Sequence, residues 1–261
     1  MTDTTEMLLA DYGPRSELVV EAHPVERAKF PAIDAHNHFG FTEATAEAAD
    51  RVVAEMDACN VKAMMDLDGN QTRPLDQTLG ILKRRHPGRF YCLTVVPFVE
   101  AFAEGRKVGE KLAAFLTEAV RQGADGIKIH KTLGLYVRDG NGKLVMPDDE
   151  RLAPLFDRCG ELGVPCLIHV ADPIAFFKPL DRHNERWEEL IAHPKWHFHG
   201  QQFPSYGALM EAQERLIERH PGTIFQSAHV ASAAENLAYV GGLLDRYANL
   251  YVDISARAAE L

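Results

Sequence analysis

Apolar positions along this chain switch period at short, regular intervals. Runs of continuous or alternating apolar residues at 32–36, 61–67, 90–96, 126–130, 165–170, 223–229 and 250–254 read as strands. Between them lie stretches whose apolar residues recur near every 3.6 positions: 45–59, 75–85, 104–122, 151–162, 206–219 and 234–247. The segment 104–122 places Val108, Leu112, Phe115, Leu116 and Val120 on one face, and 151–162 does the same with Leu152, Leu155, Phe156 and Cys159. Asp148 or Asp149 is the expected cap of the latter helix and Gly163 its stop. Two joints repeat one punctuation, Arg85-His86-Pro87-Gly88 and Arg219-His220-Pro221-Gly222. Each ends a helix with a cation suited to its C-terminal dipole, so His86 and His220 are read as structural.

Strands that alternate with long helices form parallel β/α units. Residues 30–261 are therefore read as one barrel domain and residues 1–29, which lack periodicity, as an N-terminal arm. Two segments break the rhythm. Residues 135–147 carry Asp139-Gly140-Asn141-Gly142 and read as a surface hairpin. Residues 172–205, rich in His, Trp, Phe and Pro, follow the fifth strand, where a barrel builds its active-site face, and suit a lid or substrate wall. Within them, 184–190 reads as a short helix with Trp187 packed inward, and His193, His197 and His199 as rim decoration.

Composition narrows the class. The 261 residues are 46% hydrophobic and 25% charged, with a formal net charge of −10. That charge argues against nucleic acid or an anionic membrane as partner. No apolar run approaches the roughly 18 residues of a membrane helix. The acidic start Met1-Thr2-Asp3-Thr4-Thr5-Glu6 is unlike a signal peptide, and Met7-Leu8-Leu9-Ala10 is too short for its apolar region, so a cytoplasmic location is expected. Cys59, Cys92, Cys159 and Cys166 are dispersed in apolar settings and read as buried thiols of a reducing compartment.

Candidate chemistry collects where the strands end. The first closes in Asp34-Ala35-His36-Asn37-His38-Phe39-Gly40; histidines two apart on a strand share a face and make half of a transition-metal site. The fourth carries Lys128 and His130 on one face, the fifth ends in Ile168-His169, the sixth in Ala228-His229, and the seventh holds Asp253. Arg257 follows and would reach the same mouth as an anion-binding group. Lys128 or Lys131 would bind a substrate carboxylate as a point charge.

These motifs resemble the amidohydrolase superfamily, and most closely its amidohydrolase-related (amidohydrolase 2) branch, over roughly residues 30–261. The resemblance implies a distorted (β/α)8 TIM barrel of metal-dependent hydrolase type that binds one or two divalent metals, with zinc the expected ion. It makes His36, His38 and His169 metal ligands, and His229 either a second-metal ligand or the residue that orients and deprotonates the water. Lys128 would be a substrate group or, carboxylated, a bridge between two metals; His130 shares its face. The implied reaction is attack of metal-activated water on a C–N or C–O bond of a small molecule. The alternative is non-oxidative decarboxylation of a small aromatic or unsaturated acid. A catalytically dead barrel acting as a binding protein is the reading from a different class, and a homo-oligomer is compatible with all three. The family pattern also has an eighth strand ending in an aspartate. The chain as read stops after strand seven, so a fragment of a longer reading frame is expected, weak in stability and activity. Asp253 is a poor substitute, because it falls within the seventh strand.

Overall fold

The computed structural model describes residues 8, 11–17, 19–21, 23–39 and 45–257. Residues 1–7, three of the residues 7–10 and Gly40 of the first-strand motif lie outside that set. Seven strands form one sheet: β1 Ala32–Asn37, β2 Val61–Gly69, β3 Phe90–Val95, β4 Gly126–Ile129, β5 Cys166–Ile168, β6 Phe225–Ser227 and β7 Leu250–Val252. All pair in parallel and in chain order. The helices are α1 Ala46–Cys59, α2 Leu75–Ile81, α3 Phe98–Glu104, α4 Val108–Gln122, α5 Ala153–Leu162, α6 Trp187–Ala192, α7 Tyr206–Arg219 and α8 Leu237–Arg246. This is the curled parallel sheet of a (β/α)8 barrel, with its first seven strands where the alternating periods put them. Between β7 and β1 lies a cleft of about 460 Å3, lined among others by Ile33, His36, Ile224, Tyr251 and Ile254. Gln226 spans it, its Nε2 donating to the Ala35 carbonyl at 3.0 Å.

The sheet has two apolar faces. Leu67, Leu93, Leu167 and Ala228 fill the concave side. On the convex side the helices bury Leu112, Leu116, Ile127, Phe156, Ile168 and Phe225 in one cluster and Ala49, Met56, Leu79, Phe90 and Cys92 in another. Local chemistry fixes the helix ends. Thr45, Ser205 and Asn236 accept backbone N–H groups as N-caps of α1, α7 and α8. Gly163 ends α5 in the left-handed region, which costs glycine nothing.

Several expectations are corrected. The helix read over 104–122 starts only at Val108 as α4, and a separate short helix, α3, precedes it and ends before Gly105, whose φ is 72°. The sixth strand stops at Ser227 because the next residues turn left-handed, so α8 begins at Leu237 rather than at 234. Trp187 is 45% exposed; Leu190 takes the inward position of α6 instead. Cys59, at the end of α1, is exposed, whereas Cys92, Cys159 and Cys166 are buried. Other readings hold. Asp149 caps the turn before α5. The 135–147 segment closes on an antiparallel bridge between Arg138 and Leu144. His86 and His220 each meet a carboxylate at 2.8 Å, Asp50 and Asp157. His193 stacks on Trp196 at 4.2 Å, while His197 and His199 donate to backbone carbonyls of Lys178 and Phe177.

Gly126 opens β4, and a Cβ there would lie 2.4 Å from the Pro165 carbonyl oxygen at the start of β5. Gly126→Ala is expected to cost about 1–3 kcal/mol, the range for overpacking. Chemical denaturation would measure it, and an unchanged midpoint would contradict the close β4–β5 approach that carries Lys128 and His169.

Candidate metal centre

The parallel topology delivers the polar groups to one rim. His36 lies in β1 and His38 just past it; Lys128 lies in β4; His130, His169 and Asp253 directly follow β4, β5 and β7, and His229 lies two residues past β6. Loops after the strands form the reactive face of such barrels. The imidazoles of His36 and His229 lie 4.9 Å apart between centroids, those of His169 and His229 4.4 Å, and those of His36 and His38 5.3 Å.

Hydrogen bonds fix which nitrogen each ring presents. His36 Nδ1 lies 2.9 Å from Asp253 Oδ2, and His38 Nδ1 2.8 Å from Asp68 Oδ1. His229 Nδ1 lies 2.8 Å from the Ser255 carbonyl oxygen, which only accepts. All three rings therefore carry the proton on Nδ1 and keep a lone pair on Nε2, the arrangement that orients metal-binding imidazoles. His169 Nε2 is buried and has no hydrogen-bond partner. Buried polar atoms are almost always satisfied, so an orphaned imidazole nitrogen beside two others fits a divalent cation. Burial lowers the pKa of His36 and of His229, and pushes that of His169 well down with further help from His229. Neutral imidazoles are the form that binds metals.

Two groups bring three metal-capable atoms within 4.8 Å of one another among the described residues: His36, His229 and Asp253, and His169, Asp172 and His229. His229 is common to both, and His38 belongs to neither. The structure thus gathers His36 and His169 around His229 and sets His38 beside His36, rather than focusing His36, His38 and His169 on one point.

Asp253 is more than a late strand residue. Its oxygens meet His36 Nδ1, Gln226 Nε2, the His229 and Ser255 backbone N–H groups and Ser255 Oγ, all between 2.8 and 3.2 Å. Burial would push its carboxyl up, but these bonds, His36 first, hold it well below the usual carboxylate range. The carboxylate also pins an unusual backbone. His229, Val230, Ala231 and Ser232 have φ of 55°, 57°, 55° and 60°, one left-handed turn without a glycine. Such a turn costs roughly 1–2 kcal/mol per residue. It is held by His229 N on Asp253 Oδ1 and by Val230 N on the Asp253 carbonyl at 2.7 Å.

The remaining candidates have different surroundings. Lys128 is wholly buried, its Nζ has no partner, and burial lowers its pKa to about 8. His130 Nε2 lies 2.8 Å from Gln71 Oε1, and burial lowers its pKa to about 3. With Gln71, Val96, Phe98, Lys131 and His169 it lines a cavity of about 820 Å3 at the rim. Lys131 Nζ sits 5.2 and 5.3 Å from the Phe176 and Phe198 ring centroids. Arg257 reaches the rim, but its guanidinium is buried and forks onto Asp172, with Nε 3.2 Å from Oδ1 and Nη2 on Oδ2. That pairing removes Arg257 from the anion-binding role read for it.

Asp66, Asp68, Asp172, Gln226 and Ser255 escape a reading of the sequence. The signal for the first two is a pair of carboxylates alternating with apolar residues in Met65-Asp66-Leu67-Asp68. Burial, then Asp68, raises the Asp66 carboxyl to about 7. Its folded-state pKa is thus raised, so the protonated form is favoured in the fold and that stability is lost as pH rises from about 4 through 7. Asp66→Asn is expected to add stability on the order of 4 kcal/mol at pH 8 and little at pH 4, following about 1.4 kcal/mol per pKa unit. Denaturation at both pH values checks it; an equal effect at both would contradict the burial.

The family model for Amidohydro_2, an amidohydrolase family, matches residues 9–260, and the chain belongs to that family. The match begins within the segment read as an arm. No curated protein matches the chain. A TIM-barrel protein from Bordetella bronchiseptica is similar in structure at 14% identity and a TM-score of 0.52, covering 85% of this chain and 74% of that one. A 2,6-dihydroxybenzoate decarboxylase, solved with 2,6-dihydroxybenzoate, is similar at 15% identity and a TM-score of 0.53, covering 87% and 81%. At such identities the likeness is one of fold.

Proposed function

We propose that the chain is a metal-dependent hydrolase acting on a C–N or C–O bond of a small molecule. The observation that carries this reading is the set of His36, His38 and His229 imidazoles anchored through Nδ1, with His229 beside His169, whose buried Nε2 is orphaned. His36 and His169, on either side of His229, would hold the divalent ion with His38 beside His36, and zinc suits the nitrogen donors. Bound there, it would polarise a substrate oxygen and lower the pKa of water from about 15.7 towards 7. His229, its pKa lowered by burial and its ring aimed by Ser255, would take a proton at Nε2. Lys128, buried behind the rim, and His130, which lines the cavity beside His169, would face a small molecule with an apolar body.

One observation favours decarboxylation as a second reading. Lys131 holds a cation among Phe176 and Phe198 at the wall of that cavity, a setting for the carboxylate of an apolar acid. The decarboxylase of similar fold acts in that class of chemistry. Chelator-treated protein reloaded with zinc or manganese separates the readings. Ammonia or acid release from amides and lactones supports hydrolysis, and carbon dioxide release from aromatic acids supports decarboxylation. Equal turnover with and without metal would overturn both.

A further inference from the structure

We propose that Gln71 sets the specificity of the cavity beside His169, by holding His130 as a hydrogen-bond acceptor and offering its own amide as a donor. The pair takes a primary or secondary amide with an apolar body in preference to an ester or a lactone. The inference rests on the hydrolase reading above and deepens it by choosing among its substrates.

Three observations lead there. First, His130 is anchored the other way round from the rings of the metal centre. His36, His38 and His229 are held through Nδ1, whereas His130 Nε2 lies 2.8 Å from Gln71 Oε1. A carboxamide oxygen only accepts, so Nε2 carries the proton. At pH 8, above the ordinary histidine pKa of about 6.5, the ring is neutral and Nδ1 keeps a lone pair. Among the described residues that Nδ1 has no hydrogen-bond partner, and neither has the amide nitrogen of Gln71. Secondly, both residues line one cavity with Val96, Phe98 and His169. Thirdly, Gln71 is held in place. The loop after β2 turns left-handed at Asn70, whose φ is 64°. Asn70 Nδ2 donates to Thr94 Oγ1 at 3.0 Å, and its Oδ1 accepts the Leu75 N–H at 2.9 Å. The Gln71 N–H donates to the carbonyl of Asp68 at 3.0 Å.

This pairing selects the ligand by its hydrogen bonds. The carbonyl of an amide accepts from Gln71 Nε2, and its N–H donates to His130 Nδ1. An ester or lactone has the carbonyl but no N–H, so it leaves the His130 lone pair unmet. Sites built to hydrogen-bond a group reject the analogue that lacks it, because their own polar atoms are then left unpaired. Without Gln71 the His130 ring loses its anchor and the cavity loses its donor, so the distinction disappears.

N-methylbenzamide and methyl benzoate are the probes, alike in shape and differing in N–H against O. Their affinities are measured by ligand-observed NMR titration at pH 8 on zinc-reloaded wild type, Gln71→Leu and His130→Phe. Gln71 is exposed, so Gln71→Leu keeps the fold. Wild type is expected to bind the amide about 10-fold more tightly than the ester, the worth of one hydrogen bond. In both variants the two affinities are expected to lie within about twofold of each other. A merely structural role would weaken both probes alike and leave their ratio unchanged. The wild-type ratio retained in either variant, no preference in wild type, or no binding of N-methylbenzamide by wild type would each overturn the inference. Zinc content of the same samples keeps the two readings apart. Bound zinc without a preference overturns the role of Gln71 alone, whereas a preference without bound zinc overturns the metal-centre reading alone.

Discussion

His36→Ala is expected to lose bound divalent metal and at least about 10³-fold in kcat/KM. A metal's contribution of several kcal/mol to charge stabilisation, at 1.36 kcal/mol per tenfold, sets that scale. The effect has two physical sources. The variant removes an Nε2 donor that faces His229 across 4.9 Å. It also takes the His36 bond from Asp253 Oδ2, leaving that oxygen to Gln226 Nε2. Elemental analysis alongside turnover measures both. His86→Ala is the fitting control, since His86 is also bonded to an aspartate, Asp50 of α1, but lies in the turn between α2 and β3, away from the rim. Metal content and activity equal to wild type in His36→Ala would remove the reason to read the chain as a metalloenzyme.

Asp253→Ala is expected to be the most destabilising single change at the rim, by about 3 kcal/mol or more. It leaves the His229 and Ser255 N–H groups without their acceptor, at about 1–3 kcal/mol for each buried unsatisfied group. It also releases the clamp on four left-handed residues, including the β-branched Val230. Asp253→Asn keeps the shape but cannot accept the same bonds, so a smaller loss of stability is expected, with a 10–100-fold loss of metal affinity. The wild-type carboxyl is held below its usual range, so its contribution is present above about pH 4 and fades as pH falls further. Thermal unfolding of the three proteins at pH 7, with metal titrations on the folded ones, checks both effects. A negligible shift for Asp253→Ala would mean that the left-handed turn is held by other contacts.

Much of the fold and the histidines of the site were legible in the sequence because both are local signals. A strand is a short apolar run, a helix a 3.6-residue period, and a histidine closing an apolar run is visible by inspection. The supporting groups are not local. Asp253 orients His36 from 217 positions away, and Arg257 meets Asp172 across 85. No pattern within one segment records such a pairing. The left-handed turn was hidden for another reason. Ala228-His229-Val230-Ala231-Ser232 contains no glycine, and its local preference is overridden by hydrogen bonds from Asp253. The short helix α3 was missed because its seven residues directly after β3 are too few to show a 3.6-residue period. The charge of Arg257 is engaged by Asp172, a partner that the sequence did not single out.

The central claim is that the imidazoles of His36, His38, His169 and His229 form a metal centre. The most direct test is the metal content of the purified wild-type protein by elemental mass spectrometry, before chelation and after chelation with zinc added back. The metal-centre reading expects at least one equivalent of divalent metal per chain, lost on chelation, restored by zinc and absent in His36→Ala. No bound metal in either wild-type sample, with zinc added back to saturation, would contradict it.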